Sequence, residues 1–362
     1  MIKLKIILLS LLLEISLIAT TFVHADVGVN QIFNTDFSRL VKVYAKAKLG
    51  DAEAQYTIAM MYDNGVGVVE DDKEALKWYR KAAEQGNVYA QNNLGVMYDK
   101  GIEDVLEDDK EALKWYRKAA DQGYAHAQNN LAVMYDRGGK GVAEDDKEAL
   151  KWYRKAAEQG YADAQYTLGW RYANGKGFLE DDKEATRWFR KAAEQGNIYA
   201  QNNLAVMYDN GEGVLEDDKE ALKWYRKSAE QGNVYAQNNL ATMYDNGGKG
   251  VAEDDKEALK WYRKAAEQGY ADAQYNLALM YDNGGKGVLE DNKEAVIWYQ
   301  KVAEQGYASA QYNLGLMYQY GEGVVKDMTK AKYWIKKAYE GGDAKVSKIA
   351  EENWKRFELW KY

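Results

Sequence analysis

The chain has 362 residues, 46% of them hydrophobic, with 30 Tyr and 11 Trp; that is too much apolar material for a disordered polypeptide. It carries a net charge of −8 and has no Cys, no Pro and two His. These counts exclude a disulfide framework, thiol catalysis and a His-rich metal centre, and the acidity argues against nucleic acid, which rewards basic surfaces.

The first 25 residues place Lys3 and Lys5 before an apolar run from Ile6 to Leu13 and end in Val23-His24-Ala25. That order predicts an export signal cut between Ala25 and Asp26. Glu14 interrupts the run, which is far shorter than the ~20 apolar residues a membrane span requires. Removing residues 1–25 takes away Lys3, Lys5, Glu14 and His24; the mature chain is more acidic still and keeps His126 as its one histidine. The expected location is periplasmic or secreted, with no membrane span in the mature chain. Residues 26–35 read as a loose leader. Residues 36–49, "DFSRLVKVYAKAKL", read as a helix that caps whatever follows.

From residue 50 the chain repeats itself. "DDKEALKWYRKAAEQG" stands at Asp71–Gly86, at Asp145–Gly160 and at Asp254–Gly269, with near copies at Asp108, Asp181, Asp217 and Asp291. Trp78, Trp115, Trp152, Trp188, Trp224, Trp261, Trp298 and Trp334 recur every 36 or 37 residues, and a fixed period in this range marks a solenoid. The odd residue lies in loops, "DNGEGV" at Asp209 against "DNGGKGV" at Asp245, where a length change is tolerated. Eight periods are predicted: 50–86, 87–123, 124–160, 161–196, 197–232, 233–269, 270–306 and 307–342. Residues 343–362 begin like a ninth copy and close the array as a C-terminal cap.

Each period holds two helical patterns. In the second copy, helix A is Tyr89–Gly101, with Ala90, Leu94, Gly95 and Tyr98 on one stripe. Helix B is Asp108–Gly123, with Ala112, Trp115, Ala119 and Ala120 buried. Asp108 and Glu111 stand three apart as the carboxylate form of a capping box, and Gly101 and Gly123 end the helices. The Ala positions let helices approach closely, and Trp115 and Tyr98 fill the wedges. No repeat buries this face alone, so each depends on its neighbours.

The string "AQNNLGVMYDKG…GV…DDKEALKWYRKAA" resembles the Sel-one-like repeat, a relative of the tetratricopeptide repeat, over eight copies from Gly50 to Gly342. The resemblance implies an all-α fold, a right-handed α-solenoid of helix-turn-helix repeats. It also implies a scaffold for protein partners, with the A helices lining a concave surface, in proteins that are often exported and act in cell-envelope or host interactions. The expected molecule is a monomer that binds a protein or peptide. A first alternative is an envelope enzyme acting on β-lactam or peptidoglycan, as in cysteine-rich relatives; their paired cysteines are absent here. A second is a calcium-responsive adhesin.

Catalytic chemistry is hard to place. No Ser among Ser38, Ser228, Ser309 and Ser347 begins an S-x-x-K, and no GxxxxGK[ST] phosphate loop occurs. No cofactor is predicted. The recurrent "EDD" triplets, from Glu70 to Glu253, are consecutive and precede a helix, which suits capping better than calcium. His126 stands where sibling repeats carry Tyr89, Asp163 or Tyr199, and is expected to be exposed and uncommitted.

A partner surface is easier to place. On helix A the buried stripe leaves the slots of Tyr89, Asn92, Asn93 and Val96 facing away, at 100° per residue. Two of these slots form an amide row through Asn129, Asn130, Asn202, Asn203, Asn238 and Asn239, interspersed with Tyr166. Amides both donate and accept, and Tyr adds contact area, a combination suited to an extended peptide. The fourth repeat departs from its siblings with "GWRYANG", Gly169–Gly175. Trp170 and Arg171 side by side have the composition of an interface hot spot and are expected on the exposed stripe.

Overall fold

In a computed structural model the described residues are 32–102, 106–177 and 179–361. The expected export signal, residues 1–25, and the part of the expected leader before Ile32 lie outside them. Without proline, and with Gly or Asp at most helix boundaries, the described residues form helices joined by short turns and loops. No strand occurs among the described residues; isolated bridges such as Gly139 to Val142 close the longer "GGKGV" loops. No described helix is long and apolar enough to cross a membrane.

The helices fall into two compact units, one reaching Arg171 and including Gly175–Leu179, the other holding Tyr172–Asn174 and Glu180–Tyr362. The first unit contains α1 Ile32–Lys48, α2 Ala52–Asp63, α3 Asp72–Glu84, α4 Val88–Lys100, α5 Asp109–Asp121, α6 Ala125–Arg137, α7 Asp146–Glu158 and all but the last turn of α8 Ala162–Asn174. The second contains α9 Asp182–Glu194, α10 Ile198–Asn210, α11 Asp218–Glu230, α12 Val234–Asn246, α13 Asp255–Glu267, α14 Ala271–Asn283, α15 Asn292–Glu304, α16 Ala308–Tyr320, α17 Met328–Glu340 and α18 Ala344–Arg356. Even-numbered helices from α2 to α16 are A helices and odd-numbered ones from α3 to α17 are B helices. Within each unit every helix packs on the one before and the one after. This is an all-α solenoid of helical repeats. The expected N-terminal capping helix, residues 36–49, falls within α1, Ile32–Lys48 among the described residues, save for Leu49.

Helix starts follow the carboxylates. Asp108 accepts the Lys110 and Glu111 amides at 3.1 Å each, so the middle residue of this "EDD" is committed to its own helix. The expected capping box is only half formed. The Asp108 amide donates to the Tyr98 carbonyl at 2.8 Å, in the last turn of α4, so Glu111 has no donor to return to. Glu111 instead accepts from the Trp115 indole at 3.1 Å and from Lys114 at 2.8 Å. The same main-chain tie joins Asp145 to Tyr135, Asp217 to Tyr208 and Asp254 to Tyr244.

The core is the seam between A and B helices. Ala112, Trp115, Tyr116, Ala119 and Ala120 are buried on α5, against Ala90, Leu94, Gly95 and Tyr98 of α4. Gly95 lets the Tyr116 ring lie directly on the α4 backbone: a Cβ there would stand 2.6 Å from the ring. From Trp78 to Trp298, each B-helix Trp is closed off from water by a lysine three residues on. Lys118 lies 4.1 Å from the Trp115 ring centre, Lys264 4.1 Å from that of Trp261 and Lys301 3.8 Å from that of Trp298. The placement is a favourable cation–π contact and also covers apolar surface.

One buried polar residue per repeat was not anticipated from the sequence. The glutamine near the start of every A helix donates to a carbonyl in the last turn of the preceding B helix. Gln55 reaches Ala47 in the capping helix, Gln91 reaches Ala83, Gln237 reaches Ala229 and Gln311 reaches Ala303, all at 3.0–3.1 Å. Its own oxygen accepts from the glutamine that ends the next B helix, as from Gln122 to Gln91 and from Gln268 to Gln237, both at 2.7 Å. The series stops at Gln311, whose oxygen lacks a partner, because Gly341 stands where α17 would need its glutamine. A Gln237→Leu substitution keeps the volume but strands the Ala229 carbonyl and the Gln268 amide. Urea denaturation is expected to show a loss of about 2–3 kcal/mol, the cost of unsatisfied buried groups; a loss under about 0.5 kcal/mol would remove the glutamine from the set of structural ties.

Candidate partner-binding surface

The A-helix positions read as outward facing divide into three classes. The first is covered. Asn92 and Asn202 are buried, and Asn129, Asn130, Asn203, Asn238, Asn239 and Tyr166 are half-buried. Their amides bond largely to one another and to the neighbouring repeats: Asn130 to Asn92 at 3.1 Å, Asn202 to Asn203 at 3.2 Å and Asn239 to Asn202 at 3.5 Å. Asn93 and Asn313 donate to the Tyr79 and Tyr299 hydroxyls at 3.1 Å each. The amide row is therefore a seam between adjacent A helices rather than a free display of donors and acceptors. The helical angle of one repeat locates the side that meets its own B helix; it says nothing of the side that meets the next A helix. The buried Asn238 oxygen is left without a partner within the seam.

The second class separates Trp170 from Arg171. Trp170 is 41% exposed, in a slot where Met60 and Val133 are also exposed. Arg171 is wholly buried. It does not share the exposed stripe, because one residue turns the helix by 100° and brings it into the slot of the buried Met97 and Met134. There its guanidinium pairs with Asp136 and, at 3.1 Å, with Asp146, and lies 5.5 Å from the Tyr153 ring centre. Lys176 completes the cluster at 2.6 Å from Asp136. Arg171 is thus a structural residue of the first unit and not the partner contact expected of it. A buried ion cluster of this kind is often replaceable by apolar packing, whereas removing one partner outright is costly. Arg171→Met, which copies the sibling repeats, is expected to change stability by less than about 1.5 kcal/mol. Arg171→Ala, which adds a cavity, is expected to cost about 3 kcal/mol or more. Thermal and urea melts of the two variants side by side check this; equal losses would show that the charge, not the packing, holds the site.

The third class is a row of rings toward the N-terminal ends of the A helices. In the first unit Tyr56 lies 5.8 Å from Tyr89, Tyr89 5.2 Å from Tyr124, Tyr124 5.1 Å from His126 and His126 4.6 Å from Tyr161, between ring centres. His126 is exposed, as expected, but it is committed to the two tyrosines on either side. In the second unit Tyr235 lies 5.4 Å from Tyr270, and Tyr275 lies 5.2 Å from Tyr307. Partial burial raises the hydroxyl pKa of Tyr124 and Tyr161, with Asp163 adding to the effect at Tyr161. Burial and the bond to Asp272 push Tyr270 up to about 12. These side chains stay neutral phenols across the physiological range.

The carboxylates of the "EDD" loops serve the main chain. Beyond the caps, Asp109 accepts the Lys140 amide of the next repeat at 2.5 Å, and Asp218 and Asp255 take Lys249 and Lys286 in the same way. Among the described residues no three His, Asp or Glu side chains converge as a metal site.

The Sel1 repeat profile matches eight consecutive segments: 52–87, 88–124, 125–161, 162–197, 198–233, 234–270, 271–307 and 308–343. Two solved structures are similar along most of the chain. One is a protective antigen present in uropathogenic Escherichia coli strains that displays an SLR fold, 37% identical, covering 84% of this chain and 72% of its own, with a TM-score of 0.66. The other is a Sel1 repeat protein from Oxalobacter formigenes, 35% identical, covering 86% of this chain and 89% of its own, with a TM-score of 0.64. Repeats of this kind are protein-interaction modules, and their solenoids are typically non-catalytic scaffolds. With its period, its helix pairs and eight matched segments in agreement, the chain belongs to the Sel1 repeat family.

Proposed function

We propose that this protein is a non-catalytic, exported scaffold that holds a segment of a partner protein along the ends and exposed stripe of its A helices, in a cell-envelope or host-interaction setting. One observation carries this reading. Large aromatic side chains are solvent-exposed at equivalent A-helix positions while the frame beneath them is constant: Tyr89 is 45% exposed, Tyr199 50% and Tyr235 53%. An exposed, recurrent aromatic has no core-packing reason to persist, and aromatic anchors dominate binding energies. The similar Escherichia coli protein is a protective antigen, which accords with an exported role. The lysine-start, apolar run and Val23-His24-Ala25 order supports export here.

Two measurements test the reading. Photo-crosslinking in cells from the Trp170 position is expected to capture a protein partner. Trp170→Ala is then expected to change stability by less than about 1 kcal/mol while weakening that partner by about 2 kcal/mol or more. The equivalent change at Val206 should cost much less binding. No capture from the Trp170 position while a probe on an exposed B-helix residue captures a partner, or unfolding of the Trp170 variant, would overturn the assignment of this face. For export, N-terminal sequencing of protein from the envelope fraction is expected to begin at Asp26; a cytoplasmic chain retaining Met1 would refute it.

A further inference from the structure

The ring row has a local cost that identifies its purpose. Three A helices begin at asparagine, and each asparagine accepts its helix's amide three residues on: Asn87 from Ala90 at 2.8 Å, Asn197 from Ala200 at 2.9 Å and Asn233 from Ala236 at 2.8 Å. At Tyr124, Tyr161, Tyr270 and Tyr307 the same position has no side-chain cap. A tyrosine cannot replace the asparagine oxygen, so these helices give up a stabilising contact that their siblings keep. What the exchange supplies is an aromatic ring at the edge of the B-to-A turn, in contact with rings of the repeat before or after. Packing between repeats accounts for part of that. It does not account for the rings of this edge that stay exposed: Tyr307, at an exchanged cap, is 36% exposed, and Tyr89, which follows the asparagine cap Asn87 in the same row as Tyr124, is 45% exposed. Places where a local rule is broken without local compensation are where function is expected.

The charges around the row define its complement. In the first unit Glu53, Asp121, Glu158 and Asp163 all lie exposed on or beside these turns. The cations of the same turns are directed elsewhere: Lys118 and Lys155 lie over Trp115 and Trp152, 4.1 and 4.0 Å from the ring centres. Among the described contacts no Lys or Arg of this chain lies over Tyr89, Tyr124 or Tyr161. The electron-rich faces of these rings, bordered by carboxylates, suit a guanidinium or ammonium group.

We propose that the Tyr56–Tyr89–Tyr124–His126–Tyr161 row is the seat of an extended, arginine-bearing segment of the partner, its guanidinium groups laid on the ring faces and closed by Glu53 and Asp163. The inference rests on the scaffold reading above and names the chemistry of the bound segment. The ring-to-ring steps from Tyr56 to Tyr161 limit the row's length to about 21 Å, which an extended segment of about six residues spans. The second unit repeats the device on a smaller scale, with Tyr270 donating to Asp272 at 2.9 Å beside Tyr235 and Tyr307.

The test uses the full chain and a fluorescent peptide of about six residues in which Arg alternates with Ser and Gly, read by anisotropy at two salt concentrations. The same peptide with citrulline at each Arg, and a polyproline peptide of equal length, are the comparisons. The arginine peptide is expected to bind about tenfold more tightly than either and to weaken with salt. The double variant Tyr124→Asn with Tyr161→Asn, which installs the cap its siblings use, should melt no lower than the parent and bind the arginine peptide about tenfold more weakly. Glu53→Gln with Asp163→Asn, which leaves the rings in place, should weaken it too. Equal binding of arginine and citrulline peptides, preference for polyproline, no binding of the arginine peptide, or full binding by a folded Tyr124/Tyr161 variant would each overturn the proposal. If that happens while crosslinks at Trp170 persist, the ring site falls and the scaffold reading stands. Loss of those crosslinks with arginine-peptide binding intact would instead overturn the scaffold reading and keep the ring site.

Discussion

The array depends on a buried glutamine. A helix end leaves carbonyls without partners, and in a solenoid those ends are covered by the next repeat, where water does not reach them. The side-chain amide of Gln91 reaches back to the Ala83 carbonyl, while its oxygen takes the amide of Gln122 from the next B helix. One residue thereby ties the end of one B helix, the start of its own A helix and the end of the following B helix. Hydrophobic contact alone would allow helices to slide along one another; a buried polar group that must be satisfied allows one register. Where the chain departs from the rule the series ends, as at Gln311 beside Gly341.

Around that tie the other features fall into a consistent division of labour. Alanines bring A and B helices together, the tryptophan fills the wedge, and a lysine folded over its ring keeps water off. Aspartates serve the main chain at helix starts and between repeats. The Tyr116 hydroxyl donates to Asp99 at 3.2 Å, joining the far ends of an A and B pair, and the same bond recurs from Tyr225 to Asp209 at 3.1 Å. Burial raises the pKa of Asp209 against the lowering effect of that bond. These aspartates and tyrosines therefore have a structural task, and the exposed edge of the A helices carries the aromatic positions proposed above to meet a partner.

That edge is where the repeats stop being copies. The cap position is asparagine at Asn87, Asn197 and Asn233 but tyrosine at Tyr124, Tyr161, Tyr270 and Tyr307. Two residues further on, the chain carries Tyr89, Tyr199 or Tyr235 after an asparagine, and His126, Asp163 or Asp272 after a tyrosine. A ring therefore stands at each of these turns, supplied from one position or the other. Trp170 is exposed while its neighbour Arg171 replaces a buried methionine and recruits Asp136, Asp146 and Lys176. The pair that reads as one feature along the chain is two features in space: a surface aromatic and an internal ion cluster, turned apart by a single helical step.

Read alone, the sequence determined the period, the two helices per repeat, the Ala and Trp core stripe, the aspartate caps and the membership of a helical-repeat class. All of these follow from short-range rules, because helical spacing, capping and turn chemistry act within a few residues. Only the tertiary structure decided which of the remaining positions are surface. A helix in an array has neighbours on several sides, and a single-helix projection accounts for one of them. Asn92 and Asn202 are covered by adjacent helices, Gln91 bridges two others, and His126 lies between rings contributed by two different turns. Contacts that span a whole repeat along the chain, as from Asn130 to Asn92, depend on how the repeats stack, and that is settled by packing rather than by any local signal.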